Sequence, residues 1–224
     1  MTTKEKILYE ALELFSVKGY DAVSLRDIAA RVGIKESSLY NHFSSKRAIF
    51  DGILADCAER NDAFFHAQHF INDDMLFHAD DATVAMYGAM PPDVLAAVSG
   101  QVFEAVFAEE VNVKLRRMLT LEQYKSAENA QLFREVSFEA AIAYQTRLFA
   151  AMMEAGLFEK GDPEVLALEF YAPVFLLFYR YDNTPEGVSK ARELFMRHVR
   201  QFAQTQASIK KIHRQDDIGE EIAK

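Results

Sequence analysis

The sequence contains little cysteine, glycine or proline, and no tryptophan. Among its 224 residues there are one cysteine, Cys57, nine glycines and five prolines. A single thiol cannot form an internal disulfide and is too few for a cysteine-based zinc site. So few turn-forming residues leave little material for hairpins or phosphate-binding loops, and they favour long helices. We therefore expect an all-α fold in a reducing compartment.

Long apolar runs are also missing. The longest apolar stretch, residues 170–179, includes Pro173 and is well short of the roughly 20 residues that span a bilayer. The N-terminal residues alternate charged and apolar side chains and lack the uninterrupted apolar segment of a signal peptide. We therefore expect a cytoplasmic protein with no membrane partner.

Familiar catalytic and metal-binding motifs are absent. The sequence has no HExxH, GxSxG, GxGxxG or P-loop pattern, and no Asp or Glu is followed three residues later by His. His66, His69 and His78 are close in sequence, but without nearby cysteines or a set carboxylate spacing such histidines are more often surface groups. We expect no metal, no cofactor and no enzymatic activity. An all-helical enzyme acting on a small apolar substrate remains the alternative.

The negative charge is unevenly distributed. The net charge is −9, yet residues 1–50 hold eight basic and six acidic side chains, against 17 basic and 28 acidic in the remainder. Affinity for a phosphate backbone comes mainly from Lys and Arg. Because salt limits the reach of a charge to about 8 Å, the first part can bind DNA although the rest is acidic.

The N-terminal segment has the pattern of several short helices. Apolar spacings of three and four predict helices over residues 3–18, 24–32 and about 35–42, with Gly33 in a tight turn before the third. A fourth helix begins near Lys46. This order is typical of a helix-turn-helix DNA-binding domain. Later helices are predicted at 127–155, 163–181 and 185–206, among others.

The segment SLRDIAARVGIKESSLYNHFSSK and its flanks resemble the TetR family of bacterial transcriptional regulators. The residues that carry the resemblance are Phe15, Gly19, Tyr20, Ile28, Ala29, Gly33, Leu39, Tyr40, His42, Phe43, Lys46 and Leu54. It covers about the first quarter of the chain. The resemblance implies a three-helix DNA-binding domain at 1–47, followed by a larger helical effector-binding and dimerisation domain at 48–207. A polar tail occupies 208–224.

Helix-turn-helix geometry places the start of the third helix against base edges in the major groove. Side chains that can contact bases there are Lys35, Ser37, Ser38 and Asn41. The resemblance implies that Tyr40, His42 and Lys46 contact the sugar-phosphate backbone. Ser24 and Arg26 offer donors to another phosphate at the start of the second helix. Glu36 is an acidic residue on this predicted DNA-facing helix, so the helix is not uniformly basic.

The resemblance also implies a homodimer in which the last two long helices of each chain form a four-helix bundle. Apolar stripes on those helices supply the candidate interface, which comprises Phe170, Val174, Leu177, Phe178, Phe195, Val199 and Phe202. The alternative is that both stripes face the core of their own chain. A dimer predicts a roughly palindromic operator.

The middle of the chain is rich in methionine and aromatic residues, which line adaptable ligand pockets as well as ordinary cores. The resemblance implies an effector cavity there, and our candidate lining residues are Phe103, Phe107, Phe138 and Tyr144. An apolar or aromatic effector suits them. The sequence thus predicts a ligand-responsive regulator, a repressor in most of the family, that an effector releases from DNA. A regulator without a working pocket is a further alternative.

Overall fold

The computed structural model describes residues 1–67, 79–181 and 183–222. Across those ranges the secondary structure is helical and contains no β-strand, which confirms the predicted all-α class. Within the same ranges, no helix is both long and apolar enough to cross a membrane.

The helices follow one another along the chain with short connections. Their bounds are α1 (Thr3–Lys18), α2 (Leu25–Val32), α3 (Glu36–Leu39), α4 (Lys46–Ala67), α5 (Asp81–Ala89), α6 (Pro92–Ala108), α7 (Glu110–Glu122), α8 (Ala127–Arg134), α9 (Ala140–Glu154), α10 (Pro163–Arg180) and α11 (Pro185–Ile222). A π-helical turn at Glu135–Glu139 separates α8 from α9.

Two compact units divide the chain. The first comprises Met1–Leu76 and Glu109–Ser137, and the second comprises Phe77–Ala108 and Phe138–Lys224. This division follows compactness and differs from the predicted boundary at residue 47. The functional division of the chain stays a prediction.

In the first unit, the apolar face of α1 packs against α2, α4 and α7. The buried residues of this face include Ile7, Leu8, Ala11, Leu12 and Phe15. Leu14 is half-buried. Thr2 forms a complete capping box with Glu5, which supplies the first turn of α1 with hydrogen-bond acceptors.

In the second unit, two apolar clusters hold the helices together. One lies where α6 packs along α11 and α10, and it includes Phe103, Phe107 and Phe195. The other joins α5, α9 and α10 and includes Val84 and Phe149. A Cβ added at Gly100 would lie 2.6 Å from Cγ of Met196, so the missing side chain permits the close approach of α6 to α11.

Three predicted helices have different bounds in the structure. The third ends at Leu39 rather than residue 42, and residues 40–42 form a turn with the backbone bonds of His42 and Phe43 directed to Leu39. The segment 127–155 is interrupted by the π-helical turn, whose hydrogen bonds span one residue more than those of an α-helix. The last helix continues to Ile222, so the predicted polar tail is largely helical.

Candidate nucleic-acid interface

The start of α2 is fixed by a capping box between Ser24 and Asp27. The backbone N–H of Asp27 donates to Oγ of Ser24 at 3.1 Å, while the Ser24 N–H and hydroxyl donate to Oδ2 of Asp27 at 2.8 and 2.6 Å. These bonds hold the pKa of the Asp27 carboxyl below its usual value. The Ser24 hydroxyl therefore already has partners within its own helix cap, and its predicted phosphate contact stays a prediction.

The turn between α2 and α3 depends on Gly33. Its φ of +82° is a left-handed conformation that residues with a Cβ rarely adopt. The N–H groups of Gly33 and Ile34 both donate to the carbonyl of Ala29, at 2.9 and 3.0 Å. This reversal ends α2 and directs the chain into α3, as the sequence predicted.

Helix α3 is anchored by a buried apolar side chain. Leu39 is 1% exposed, and Phe43 just after the helix is also buried. The buried face of α2 comprises Ile28, Ala29 and Val32. The inward-facing residues of the predicted helix-turn-helix are therefore confirmed as core.

The opposite side of α3 and the turn after it is polar and accessible. Most side chains predicted to contact DNA are exposed here, and Ser38 is half-buried; the exposed ones are Lys35, Ser37, Tyr40, Asn41 and His42. Arg26, near the start of α2, is exposed too. The structure thus brings the predicted base-contacting residues together on one short, outward-facing segment, while their contacts with DNA stay predictions.

Lys46 has a different position from the one expected of a phosphate-binding side chain. Its ammonium donates to the carbonyl oxygens of Tyr20 at 2.9 Å and Val23 at 2.8 Å. The same nitrogen lies 4.2 Å from the centre of the Tyr20 ring, a cation–π contact. In the first unit Lys46 therefore holds the connection between α1 and α2.

A second pair of residues at this connection was missed by sequence reasoning. Oε1 of Glu122, on α7, accepts a hydrogen bond from the N–H of Tyr20 at 2.9 Å and one from Nζ of Lys125 at 2.7 Å. Lys125 also pairs with Asp21 at 2.9 Å. No local pattern could reveal these contacts, because 102 residues separate Tyr20 from Glu122.

The four predicted effector-binding residues do not lie together. Phe103 and Phe107 stack with ring centres 5.1 Å apart in the cluster of α6, α10 and α11. Tyr144 belongs to the cluster of α5, α9 and α10, and Phe138 packs against Phe175 at 4.6 Å. The structure places these residues in separate packing groups, and their role in binding an effector stays a prediction.

The predicted dimer stripe faces the core of its own chain. Val174, Leu177, Phe195 and Val199 are all buried there, and Phe170, Phe178 and Phe202 pack against the two clusters of the second unit. The sequence alone could not tell which of the two apolar faces of α10 is internal. The outward-facing apolar residues of α10 form another stripe, which comprises Val165, Leu168, Ala172, Leu176 and Tyr179.

The histidines considered for a metal site offer no cluster among the described residues. His66 is exposed on α4, and His69 and His78 lie outside the described ranges. Over the part of the chain that is described, no group of three or more His, Cys, Asp or Glu residues could hold a metal ion.

A short polar helix entered through a glycine turn is the arrangement of a helix-turn-helix motif. The family described as bacterial regulatory proteins, tetR family, matches residues 7–53. The N-terminal domain of this chain is therefore similar to that of TetR-family regulators.

Similarity to a curated protein is found in the N-terminal domain. The biofilm operon icaADBC HTH-type negative transcriptional regulator IcaR of Staphylococcus aureus (strain Newman) is 50% identical over 54 residues, which are 24% of this chain and 29% of the relative. The chain thus matches less than a third of that relative's length. The similarity shows a shared N-terminal domain.

Solved structures extend the likeness in fold to about nine-tenths of the chain. A bacterial regulatory protein of the tetR family from Rhodococcus RHA1 has a TM-score of 0.57 at 20% identity, covering 92% of this chain and 97% of the other. Salmonella enterica GusR has a TM-score of 0.60 at 20% identity, covering 91% and 94%. At such identities the likeness establishes the fold alone.

Proposed function

We propose that this protein is a transcriptional regulator rather than an enzyme, and that it binds operator DNA in the cytoplasm. The observation that carries the proposal is the exposed polar face of α3, held outward by the buried Leu39 and entered through the Gly33 turn. An α-helix fits the major groove of B-form DNA, and the first residues of a reading helix reach base edges. Regulators of the TetR family share this domain.

Two kinds of DNA contact are proposed for the exposed segment. Lys35, Ser37, Ser38 and Asn41 contact bases, because a Lys donates to guanine and an Asn pairs with adenine. Tyr40, His42, Ser24 and Arg26 contact the sugar-phosphate backbone, which supplies affinity without sequence choice. The ammonium of Lys46 is bonded to two carbonyls, so we propose that this residue meets phosphate through its N–H at the start of α4.

We propose that binding represses transcription. The curated relative that shares half of the matched N-terminal residues is named a negative transcriptional regulator. A protein seated on an operator blocks access to the promoter without further chemistry. The direction of control in this chain rests on that similarity.

We propose a homodimer that binds a palindromic operator. One short reading helix supplies few contacts, and two symmetry-related copies double them over half-sites one helical turn or a multiple apart. The outward apolar stripe of α10 is the face we assign to this interface. It replaces the stripe predicted from the sequence, whose members are largely internal. Leu176 and Tyr179 are 58% and 53% exposed, large fractions for apolar side chains.

We propose that a small apolar or aromatic effector releases the protein from DNA. The protein must then have two conformations, one that fits DNA and one in which the α3 helices of the dimer are wrongly placed for DNA. The effector binds the second conformation more tightly, and the ratio of its affinities for the two conformations sets how far it weakens DNA binding. Of the predicted lining residues, we favour Tyr144, whose side chain is buried in the apolar cluster of α5, α9 and α10, where burial raises the pKa of its hydroxyl. Phe103 and Phe107 are tightly packed core and are weaker candidates.

Fluorescence anisotropy with labelled duplexes from the promoter region of the protein's own gene tests the DNA proposal. We expect tight binding to a palindromic segment and at least about a tenfold preference over unrelated duplex of equal length. The double variant Ser37→Ala with Asn41→Ala should lose that preference, while the matched control Gln201→Ala, on the exposed side of α11, should keep it. Equal weak binding to every duplex would refute the proposal.

A thermal-shift screen tests the effector proposal. A ligand that binds only the folded protein raises the melting temperature with its concentration. We expect an apolar or aromatic compound to raise the melting temperature and to lower DNA affinity in the same concentration range. A compound that does the first without the second would bind outside the regulatory equilibrium.

A further inference from the structure

Helix α7 lies alongside α1 and runs in the same direction. Near the start of α7, the ammonium of Lys114 pairs with the carboxylates of Glu13 and Glu110 and lies 3.2 Å from the hydroxyl of Tyr9. Near its end, Glu122 contacts Tyr20. Two polar contacts therefore fix α7 against α1 in one register, and the second contact reaches past α1 into the α1–α2 connection.

The peptide groups of Tyr20 are held from two helices. Its N–H donates to Glu122 of α7 at 2.9 Å, and its carbonyl accepts from Lys46 of α4 at 2.9 Å. The Glu122 side chain is 3% exposed. A buried carboxylate depends on its few hydrogen bonds, because each one lost leaves charge without solvent or a partner.

The backbone of the connection lies next to this carboxylate. A Cβ added at Gly19 would be in ordinary van der Waals contact with the two charged groups, 3.4 Å from Oε1 of Glu122 and 3.5 Å from Nζ of Lys125. The φ of Gly19 is +78°, a conformation that residues with a Cβ rarely adopt, so the backbone conformation favours glycine here. Lys125 completes the arrangement by pairing with Asp21, the next residue but one along the connection.

We propose that Glu122 and Lys125 form a latch on residues 19–21 that positions α2 and α3 for DNA. The connection leads within a few residues to Ser24, which caps α2, and α2 carries α3 through the Gly33 turn. Glu122 is thus a positioning residue for DNA recognition. A displacement of α7 breaks the Tyr20–Glu122 hydrogen bond and frees the connection, which lowers DNA affinity. This inference rests on the proposed function for its DNA readout.

Substitutions at Glu122 test the latch. Glu122→Leu keeps a side chain of similar size but removes the acceptor for the Tyr20 N–H, whereas Glu122→Gln keeps a carbonyl oxygen for it. We expect operator affinity to fall about tenfold or more in the Leu variant and to stay within about threefold of wild type in the Gln variant. The matched control is Glu128→Leu. Glu128 is an exposed residue of the neighbouring α8 that pairs with Arg47 of α4, and its substitution should leave operator affinity unchanged.

Hydrogen exchange of the Tyr20 amide supplies a readout that needs no DNA. We expect faster exchange at this amide in Glu122→Leu, with Glu122→Gln and Glu128→Leu close to wild type. If the wild-type protein fails to bind DNA but the variants differ in Tyr20 exchange as expected, the proposed function is overturned, while the hold of Glu122 on the α1–α2 connection is supported. Unchanged exchange and unchanged affinity in Glu122→Leu would overturn the latch itself.

A second variant covers the case in which Glu122→Leu does not fold. Lys125→Met retains the carboxylate and the Tyr20 bond but removes both the hydrogen bond from Lys125 to Glu122 and the link to Asp21. We expect a few-fold loss of operator affinity and a lower melting temperature, with the helical content near that of wild type. Full operator affinity in Lys125→Met would remove Lys125 from the latch, and loss of DNA binding in Glu122→Gln, which keeps the acceptor for the Tyr20 N–H, would overturn the role given to that hydrogen bond.

Discussion

The ammonium of Lys46 lies 2.9 Å from the carbonyl oxygen of Tyr20 and 4.2 Å from the centre of its ring. A second bond to the Val23 carbonyl, at 2.8 Å, completes its contacts with the α1–α2 connection. A lysine whose sequence position suggests a phosphate contact therefore also holds its own domain together. We therefore expect its substitution to lower stability as well as the proposed DNA affinity.

We expect Lys46→Met to lower the free energy of unfolding by about 1–3 kcal/mol. The variant keeps the apolar stem but leaves the two carbonyls without their charged donor. Urea denaturation measures the change. Tyr40→Phe provides the contrast, because the Tyr40 side chain is 55% exposed and the loss of its hydroxyl should reduce DNA affinity while the urea midpoint stays unchanged. Equal stability of Lys46→Met and wild type would contradict the structural role.

Gly33→Ala should destabilise the protein by about 1 kcal/mol or more. The cost is conformational, since the φ of Gly33 is +82° and no atom lies within 4 Å of an added Cβ. Gly161→Ala is a matched control, because its added Cβ also meets nothing within 4 Å and its φ is not positive. Thermal unfolding of both variants checks this. A similar melting temperature for the two would show that the turn tolerates a side chain.

Cys57 should be unreactive in the folded protein. Its side chain is 2% exposed, and burial, aided by the nearby Asp56, raises the pKa of the thiol from 9.0 to about 12. The thiolate is the reactive form, so we expect no reaction with a disulfide reagent at pH 8 and one equivalent in denaturant. Since this is the one cysteine of the sequence, the colour change reports that site directly. Rapid labelling of native protein would contradict the burial.

The same thiol predicts how stability changes at alkaline pH. The unfolded thiol ionises near 9.0, while the folded one stays protonated to about 12. The folded state therefore binds more protons between these values, and its stability falls as pH rises through this interval. Cys57→Ala should show a shallower fall in urea midpoint between pH 8 and 10 than wild type. Parallel pH profiles for the two proteins would argue against this contribution.

Leu176→Glu should dissociate the proposed dimer. Leu176 is 58% exposed in the outward stripe of α10, and a charge there would be buried without a partner in a symmetric interface, twice per dimer. Sedimentation velocity should show a dimer for wild type and a monomer for the variant. Gln201→Glu adds the same charge on the exposed side of α11 and should leave the dimer intact. A dimer that survives Leu176→Glu would move the interface elsewhere.

The local order of the N-terminal domain could be predicted from the sequence because its signals are local. Ser24 with Asp27, and Gly33 with the apolar positions around it, specify a helix start and a helix end within a few residues. The buried Leu39 and the exposed Ser37 follow from helical periodicity. These features needed no knowledge of the rest of the chain.

Other features depend on partners far away in sequence. Helix α10 carries apolar residues on two faces, and only packing against α6 and α11 decides which face is internal. The π-helical turn at Glu135–Glu139 has no composition signal that distinguishes it from the helices on either side. The family resemblance implied a phosphate contact for Lys46, and nothing local in the sequence points to its hydrogen bonds with the carbonyls of Tyr20 and Val23.

By itself, the sequence determined the helix-turn-helix: caps, a glycine turn and an apolar period act over three or four residues, so they can be seen in a linear string. The tertiary structure alone decided that Glu122 meets Tyr20, that Lys46 turns inward, and that Val174 and Val199 are internal. Those outcomes are set by which helix faces pack together across long separations. Many pairings satisfy the same apolar pattern, and packing selects one of them.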